Sequence, residues 1–470
     1  MPKLPLIVLT ASAATAALVS VAMGQTTQPA TPIELGAEAQ TITSFGASGA
    51  WWAQGVGDWD ESVRSEILDL LYTDEGAGMD LYRYNVGGAP GTPFMPPEDR
   101  ISDPWRRGYS VEVSPGEYDF SRDAAALRVL EGIRERGVEQ FVLFANSPPA
   151  ELTISGMTSG GENGSPNLPE ENEDAFAERF VDTCVALANE FDLPHVVLSP
   201  INEPNVAWGT RRHQEGCSYE PEQVARVMAK VAGVMELRGL DRDRFELDGP
   251  ESTTWSDRRL FRTLLERRNE DPTLAKWMSQ LATHSYGGNR RDRRQLVAMR
   301  DELAPGLPIA MTEWTEMQRG RDGSMETALT MASTMHDDLN IGQAVTWQKW
   351  IAASKYEWRD GLIYLNADQS YDITKRLWAM AHFARFIPSG STRVEVDVEG
   401  VSASVFTTPE GETVFVMTNR AEEAKAFELP PGSAEAFVTD ADRDLAELSM
   451  TDAVVEVPAL SIVTVVLTEK

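Results

Sequence analysis

His195-Val196-Val197-Leu198-Ser199-Pro200-Ile201-Asn202-Glu203-Pro204 is the stretch from which the fold can be read. Its apolar run fits a buried strand over His195–Asn202 that ends in a carboxyl group. Amphipathic helical patterns flank it at Glu173–Glu190 and Pro221–Arg238. Helix, short buried strand and helix again is the repeating unit of a parallel α/β sheet.

Outward from there the alternation continues. Strands are expected at Ile42–Ala47, Asp80–Asn85, Gln140–Ala145, Arg244–Leu247, Leu281–Tyr286, Pro308–Glu313 and Gln343–Trp347. Further helices are clearest at Glu61–Tyr72, Ala124–Arg136 and Met325–Leu339. Eight strands, each followed by a helix or long connection, predict an α/β fold, a (β/α)8 TIM barrel over residues 41–387.

From Pro388 the pattern changes to β-type runs separated by Gly, Pro and acidic turns. They lie at Arg393–Val398, Ser402–Thr407, Thr413–Thr418, Ala434–Thr439 and Val454–Leu467, and predict a β-sandwich over 388–470. Residues 25–40 read as a linker and an N-terminal strand that joins this β domain. No internal repeat is visible.

Residues 1–24 read as an export signal. Lys3 supplies the positive charge, Leu4–Ala22 the apolar stretch, and Ala22-Met23-Gly24 a small-residue cleavage site. A secreted or periplasmic protein is expected, with no membrane insertion.

The chain has 470 residues and a formal net charge of −31. That charge repels nucleic acid and anionic membranes, so neither is expected as a partner. Cys184 and Cys217 could pair in an oxidising compartment, but one lies about three turns into a helix and the other in a loop near the opposite end of the neighbouring strand. The five histidines show no metal-ligand spacing, so no metal site is expected.

Catalytic residues of such barrels sit at the C-terminal ends of strands. The fourth strand ends in Asn202-Glu203 and the seventh, Pro308-Ile309-Ala310-Met311-Thr312-Glu313, in a second carboxyl. Alternation puts Ile309, Met311 and Glu313 on one face, which is taken as the inner one. Two carboxyls across one mouth suit glycoside cleavage. One protonates the leaving oxygen, and the other attacks the anomeric carbon or activates water.

Arg83 ends the second strand, where its charge would hold Glu313 ionised and low in pKa. Tyr286 ends the sixth strand and could hydrogen-bond Glu313, and His284 shares that inward face. Asn202 could grip a sugar 2-hydroxyl, and Glu313 would raise the pKa of Glu203. Trp347, at the end of the eighth strand, is expected as a platform for a pyranose ring. Trp51, Trp52, Trp208 and Trp350 fall in mouth loops.

Taken in order, several segments together resemble glycoside hydrolase family 30. They are Thr43-Ser44-Phe45-Gly46-Ala47-Ser48, Arg83-Tyr84-Asn85-Val86-Gly87-Gly88, Asn146-Ser147-Pro148-Pro149, Ser199-Pro200-Ile201-Asn202-Glu203-Pro204, Gln214-Glu215-Gly216-Cys217, His284-Ser285-Tyr286 and Thr312-Glu313-Trp314. The resemblance runs from about Thr41 to the chain end. It implies Glu203 as acid/base and Glu313 as nucleophile of a retaining enzyme, with Arg83, Asn202, Tyr286 and Trp347 as companions. Asn146, His284 and Trp52 are the further substrate-binding candidates. It also implies no cofactor and a β-linked glycan as substrate, with no obligate protein partner evident.

The sequence departs from the family's pattern at Ala150-Glu151-Leu152-Thr153, where an aromatic and a Met often follow Ser-Pro-Pro. Gln214-Glu215-Gly216-Cys217 and Thr346-Trp347-Gln348 are most similar to the endo-β-1,6-galactanase branch. Glucuronoxylan, with Arg211, Arg212 and Arg359 as its cationic pocket, and β-1,6-glucan remain as alternatives. From other classes, a non-catalytic sugar-binding barrel would lack one of the carboxyls. An oxidoreductase would need a richer Gly loop than Gly87-Gly88 or Gly160-Gly161.

Overall fold

The computed structural model describes residues 30–89, 101–209, 213–451 and 453–468. The expected export segment, and Arg211 and Arg212, lie outside the described residues.

Eight parallel strands close into a barrel in sequential order: β1 (Ser44–Ser48), β2 (Leu81–Asn85), β3 (Gln140–Phe144), β4 (His195–Ser199), β5 (Phe245–Ser252), β6 (Met278–His284), β7 (Ile309–Trp314) and β8 (Ala344–Lys349). A helix follows each: α1 (Glu61–Tyr72), α2 (Ala124–Glu135), α3 (Glu173–Glu190), α4 (Pro221–Leu237), α5 (Arg258–Glu270), α6 (Arg290–Leu303), α7 (Met325–Asn340) and α8 (Lys375–Ala384). The architecture is the expected TIM barrel. Its helices form where an apolar stripe can be buried. In α1 the stripe is Ile67, Leu68, Leu71 and Tyr72, and burying each such side chain contributes about 1.5–3 kcal/mol. Helix α6 opens with a reciprocal cap between Asn289 and Asp292, satisfying amides that a helix start leaves unpaired.

Glycine decides how tightly β1 and β2 can pair. A Cβ on Gly46 would lie 2.3 Å from the carbonyl oxygen of Leu81, so no larger residue fits without moving the backbone.

Two strands differ from expectation in ways that matter for the site. Strand β5 runs on through Asp248-Gly249-Pro250-Glu251 instead of stopping at Leu247, because Gly249-Pro250 is carried inside the strand instead of forming a turn. In β7 the register with β6 slips, so that Thr283 faces Met311 while His284 faces Glu313. The slip inserts one residue, Thr312, and breaks the strict alternation expected for this strand. Met311 therefore pairs with Trp347 on the outer face, and Glu313 is inward because of the bulge.

The C-terminal sandwich has a seven-stranded antiparallel sheet. Its strands include β9 (Thr392–Val396), β10 (Ser402–Thr407), β11 (Thr413–Asn419), β13 (Ser433–Thr439) and β15 (Ser461–Thr468). The pre-barrel strand Leu35–Thr41 pairs with β9 at the edge of this sheet. A second sheet joins β12 (Lys425–Glu428) and β14 (Val454–Val457) to Thr31–Pro32. The single run expected over Val454–Leu467 is thus two strands in different sheets, separated where Pro458 removes a backbone donor.

Both faces of the larger sheet are buried, and period-two alternation sorts them. Val405, Phe415, Met417, Val463 and Val465 face the sandwich's own core. Phe406, Val414, Val416 and Ile462 join the core of the barrel. On this second face two imidazoles tie the layers together. His336 of α7 bonds Ser404 Oγ (2.7 Å) and Thr418 Oγ1 (3.0 Å). His382 of α8 bonds Thr464 Oγ1 (2.7 Å) and Thr439 Oγ1 (2.9 Å).

Cys184 and Cys217 are both free and buried, so they do not pair. Burial pushes the Cys217 thiol up to about 11 and raises the Cys184 thiol well above its ordinary value, which leaves both inert. Among the described residues no helix is long and apolar enough to cross a membrane.

Candidate active site

The C-terminal strand ends converge on a buried polar cluster. Arg83, from β2, is wholly buried, with its guanidinium carbon 3.5 Å from the Phe144 ring centroid. Its Nη1 donates to Glu313 Oε2 (2.9 Å), and its Nη2 donates to Asn202 Oδ1 (2.9 Å) and Glu251 Oε2 (2.7 Å). Tyr286, just past β6, donates its hydroxyl to the other oxygen of Glu313 at 3.0 Å. His284 Nδ1 lies 3.2 Å from Glu203 Oε1 and 3.6 Å from Glu313 Oε1. Glu203, His284 and Glu313 each present an atom within 4.8 Å of the others. They form the one such acid and histidine group, among the described residues, that a cation could bridge. Arg83 already supplies the positive charge there.

The electrostatics depart from expectation at Glu313. Burial raises its pKa, as do Glu203 and Glu251, against the opposing pull of His284 and Arg83. The expectation that the charge of Arg83 would hold Glu313 low is corrected, because desolvation of a wholly enclosed carboxyl is the larger effect. Burial also opposes the charges on Arg83 and His284, but the surrounding carboxylates outweigh it and raise both.

A row of amides leads away from Arg83. Asn202 donates to Asn146 Oδ1 (2.9 Å), Asn146 to Asn85 Oδ1 (3.2 Å), and Asn85 to Glu215 Oε2 (2.9 Å). Gly108 makes room for the last step, since a Cβ there would lie 2.5 Å from Asn85 Nδ2 and 2.7 Å from Glu215 Oε2. Glu215 also accepts from the amide of Gly88 at 3.3 Å.

The aromatics are distributed differently from expectation. Trp347 is wholly buried and faces outward, donating its indole N–H to Asp338 of α7 at 2.9 Å. It therefore offers no face to a sugar. Gln348, the next residue, takes the inner position on β8. Trp52 is equally buried, with its N–H on the Ser48 carbonyl (2.9 Å), and Trp208 donates to the backbone carbonyl of Glu203 (3.0 Å). The mouth instead has Trp350, half-buried, its ring centroid 5.8 Å from the Arg83 guanidinium carbon. Trp51 stands edge-on to it at 5.1 Å. Arg359 is engaged by Glu316, Asp322 and Glu326, an acidic setting unlike a cationic pocket.

The structure brings together Arg83, Asn146, Asn202, Glu203, His284, Tyr286 and Glu313, and leaves out Trp347 and Trp52. It adds Glu251, which sequence reasoning missed. The signal was a carboxyl four residues beyond the expected end of the fifth strand, hidden behind Gly249-Pro250.

The sequence matches O-Glycosyl hydrolase family 30 over residues 29–241 and 270–364, and the family 30 beta sandwich domain over 390–465. An endo-beta-1,6-galactanase of Hypocrea rufa is 24% identical over 276 residues, 54% of this chain and 54% of that protein. An exo-beta-1,6-galactobiohydrolase of Bifidobacterium longum is 29% identical over 217 residues, 37% of this chain but 14% of that protein. The match thus takes in about half or less of these relatives' own lengths. Among solved structures, a conserved exported protein from Bacteroides fragilis superposes with a TM-score of 0.77 at 22% identity, covering 92% of this chain and 98% of that one. That likeness concerns the fold.

Proposed function

The chain belongs to glycoside hydrolase family 30, and we propose that it is an exported retaining β-glycosidase with Glu313 as nucleophile and Glu203 as acid/base. The observation that carries the reading is the spacing of the two carboxyls, whose facing oxygens lie within 4.8 Å. Retaining enzymes hold the pair about 5–5.5 Å apart, whereas inverting ones need about 6.5–9.5 Å to admit a water between them.

In the first step Glu313 Oε attacks the anomeric carbon while Glu203 delivers its proton to the departing glycosidic oxygen. A covalent glycosyl-enzyme forms and the leaving sugar departs. Glu203, now a carboxylate, then takes a proton from water, whose oxygen attacks the same carbon and releases Glu313. Arg83 and Tyr286 address one oxygen each of Glu313, which holds the attacking lone pair in line. Asn202, held between Arg83 and Asn146, is placed to meet the sugar 2-hydroxyl. Trp350 replaces Trp347 as the platform for a sugar ring.

The substrate we infer is a β-1,6-linked galactan. It rests on the two relatives named for β-1,6-galactose-linked activities, and on the resemblance of the segments at Glu215 and at Trp347. The engaged state of Arg359 argues against its serving a glucuronate branch.

The test is hydrolysis of β-1,6-galactan, β-1,6-glucan and glucuronoxylan by wild type and Glu313→Gln, with products resolved by size and the first-formed anomer read by NMR. Wild type should cut the galactan with retention, and the variant should lose about four or more orders of magnitude, the scale of a group acting within a catalytic unit. An active Glu313→Gln, or an inverted product, removes the mechanism. Cleavage of another polymer alone removes the substrate.

A further inference from the structure

Strand β5 carries a third carboxyl into the site. Glu251 is wholly buried, and its Oε2 lies 2.7 Å from Arg83 Nη2, while Arg83 Nη1 lies 2.9 Å from Glu313 Oε2. One guanidinium is therefore divided between two carboxylates. Glu251 also reaches Glu203 through the backbone, its carbonyl accepting the Glu203 amide at 3.0 Å. Both residues sit in the left-handed region, at φ 48° for Glu203 and 46° for Glu251. Non-glycine residues rarely adopt it unless the surroundings impose it, and the shared hydrogen bond holds the two strained residues together.

We propose that Glu251 is a positioning residue for the paired carboxyls, competing with Glu313 for the Arg83 guanidinium and holding the backbone from which Glu203 projects. This rests on the reading of Glu313 as nucleophile and Glu203 as acid/base. A carboxylate facing Arg83 beside the nucleophile does two opposed things. It fixes the guanidinium so that Glu313 meets a donor in one place. It also takes part of the positive field that would otherwise favour ionised Glu313.

The other charged or titratable groups facing this cluster are few. Arg83 comes from β2, Glu203 follows β4, Asp248 lies on β5, and His284 and Tyr286 come from β6. Lys349 of β8 lies behind Trp314, near enough to feel Glu313. Strands β1 and β3 contribute no titratable side chain. Burial, with Glu251 adding to it, pushes Asp248 up to about 8, so at neutral pH it is mostly protonated and adds little charge. Glu251 is thus the buried anion that opposes Arg83 without a part in bond breaking.

Removing that charge while keeping the shape should make the active state available at lower pH. In Glu251→Gln, Arg83 is left to Glu313, the carboxylate form is favoured, and the acidic limb of kcat/KM should move down by about one pH unit. Activity at the optimum should fall about tenfold, in kcat more than in KM, because the guanidinium is held less firmly. Glu251→Asp keeps the charge but draws it back from Arg83, so its limb should stay in place while kcat falls.

The experiment measures kcat/KM against pH for wild type, Glu251→Gln and Glu251→Asp on whichever of the three polymers the wild type cuts. Alongside it, the Glu313 carboxyl is titrated by carbon NMR in protein with labelled glutamate. The downward limb in Glu251→Gln, matched by the NMR titration and absent in Glu251→Asp, supports the proposal. A limb that does not move in Glu251→Gln, with Glu313→Gln inactive, overturns it and leaves the nucleophile standing. An active Glu313→Gln instead overturns the reading beneath it. If Glu251→Gln does not fold, Glu251→Asp decides, since a wild-type kcat in that variant would also overturn the proposal.

Discussion

Lowering the pH should loosen the protein at the seam between barrel and sandwich, through His336 and His382. Burial pushes both imidazoles down to about 3, with Arg385 adding to the effect at His382. Each uses both ring nitrogens on hydroxyl partners, so the neutral ring is satisfied and has no carboxylate to welcome a proton. The unfolded chain takes up a proton on each near the ordinary value of 6.5, while the folded chain resists until about 3. The stability these groups contribute is therefore full above about pH 6.5 and is lost as pH falls through that window. Each loses about 1.4 kcal/mol per pH unit there, so going from pH 7 to pH 5 costs about 2 kcal/mol per histidine and about 4 kcal/mol for both. Urea unfolding of wild type and of the double variant His336→Gln, His382→Gln, at several pH values between 7 and 4.5, isolates this term, because carboxylate titrations common to both cancel. The variant should be weaker at pH 7, but its stability should fall less steeply, by about 2.7 kcal/mol per pH unit below pH 6. Parallel slopes would refute the reasoning.

Other expectations follow from placements the structure revised. Trp347→Phe should lower stability by about 1–3 kcal/mol, for the bond to Asp338 left unmade, with KM unchanged; a raised KM would return Trp347 to the sugar site. Trp350→Ala should raise KM by about tenfold or more with a smaller effect on kcat, and an unchanged KM would remove it as the platform. Neither thiol should react with a chromogenic disulfide reagent in the native protein, and both should react after unfolding without reductant; fewer than two thiols would mean that they pair.

The barrel was legible because its strands are short apolar runs whose ends carry the informative residues, as at Asn202-Glu203. The acid–arginine–tyrosine cluster followed from strand ends alone. What sequence could not show was phase. Alternation along Ile309-Ala310-Met311-Thr312-Glu313 pointed the right carboxyl inward by an unbroken count, whereas the chain inserts Thr312 and restores the orientation by a bulge. Trp347 was expected at the mouth because it ended the eighth strand as read from sequence, whereas that strand runs on to Lys349 and its register with β7 turns Trp347 to the helices. Glu251 was hidden because Gly-Pro reads as a turn unless its neighbours in the sheet are known. The two histidines of the seam sit on helices, where nothing local distinguishes a residue that will meet two hydroxyls of another layer.

The row of asparagines between Arg83 and Glu215 has a direction. Arginine can only donate and a carboxylate can only accept, so the three amides between them have one arrangement that satisfies every link. Their dipoles align head to tail, and each polarises the next. The loop after β4 is thereby wired to the reacting carboxyls without any backbone needing to move. A neutral Gln at 215 would remove one of the two termini that set the direction and leave Arg83 alone to hold it, because reversal would turn the Asn202 N–H group towards Arg83, two donors face to face. The guanidinium that grips Glu313 thus also fixes which polarity Asn202 presents to the sugar, as an anchored end sets the sense of a thread.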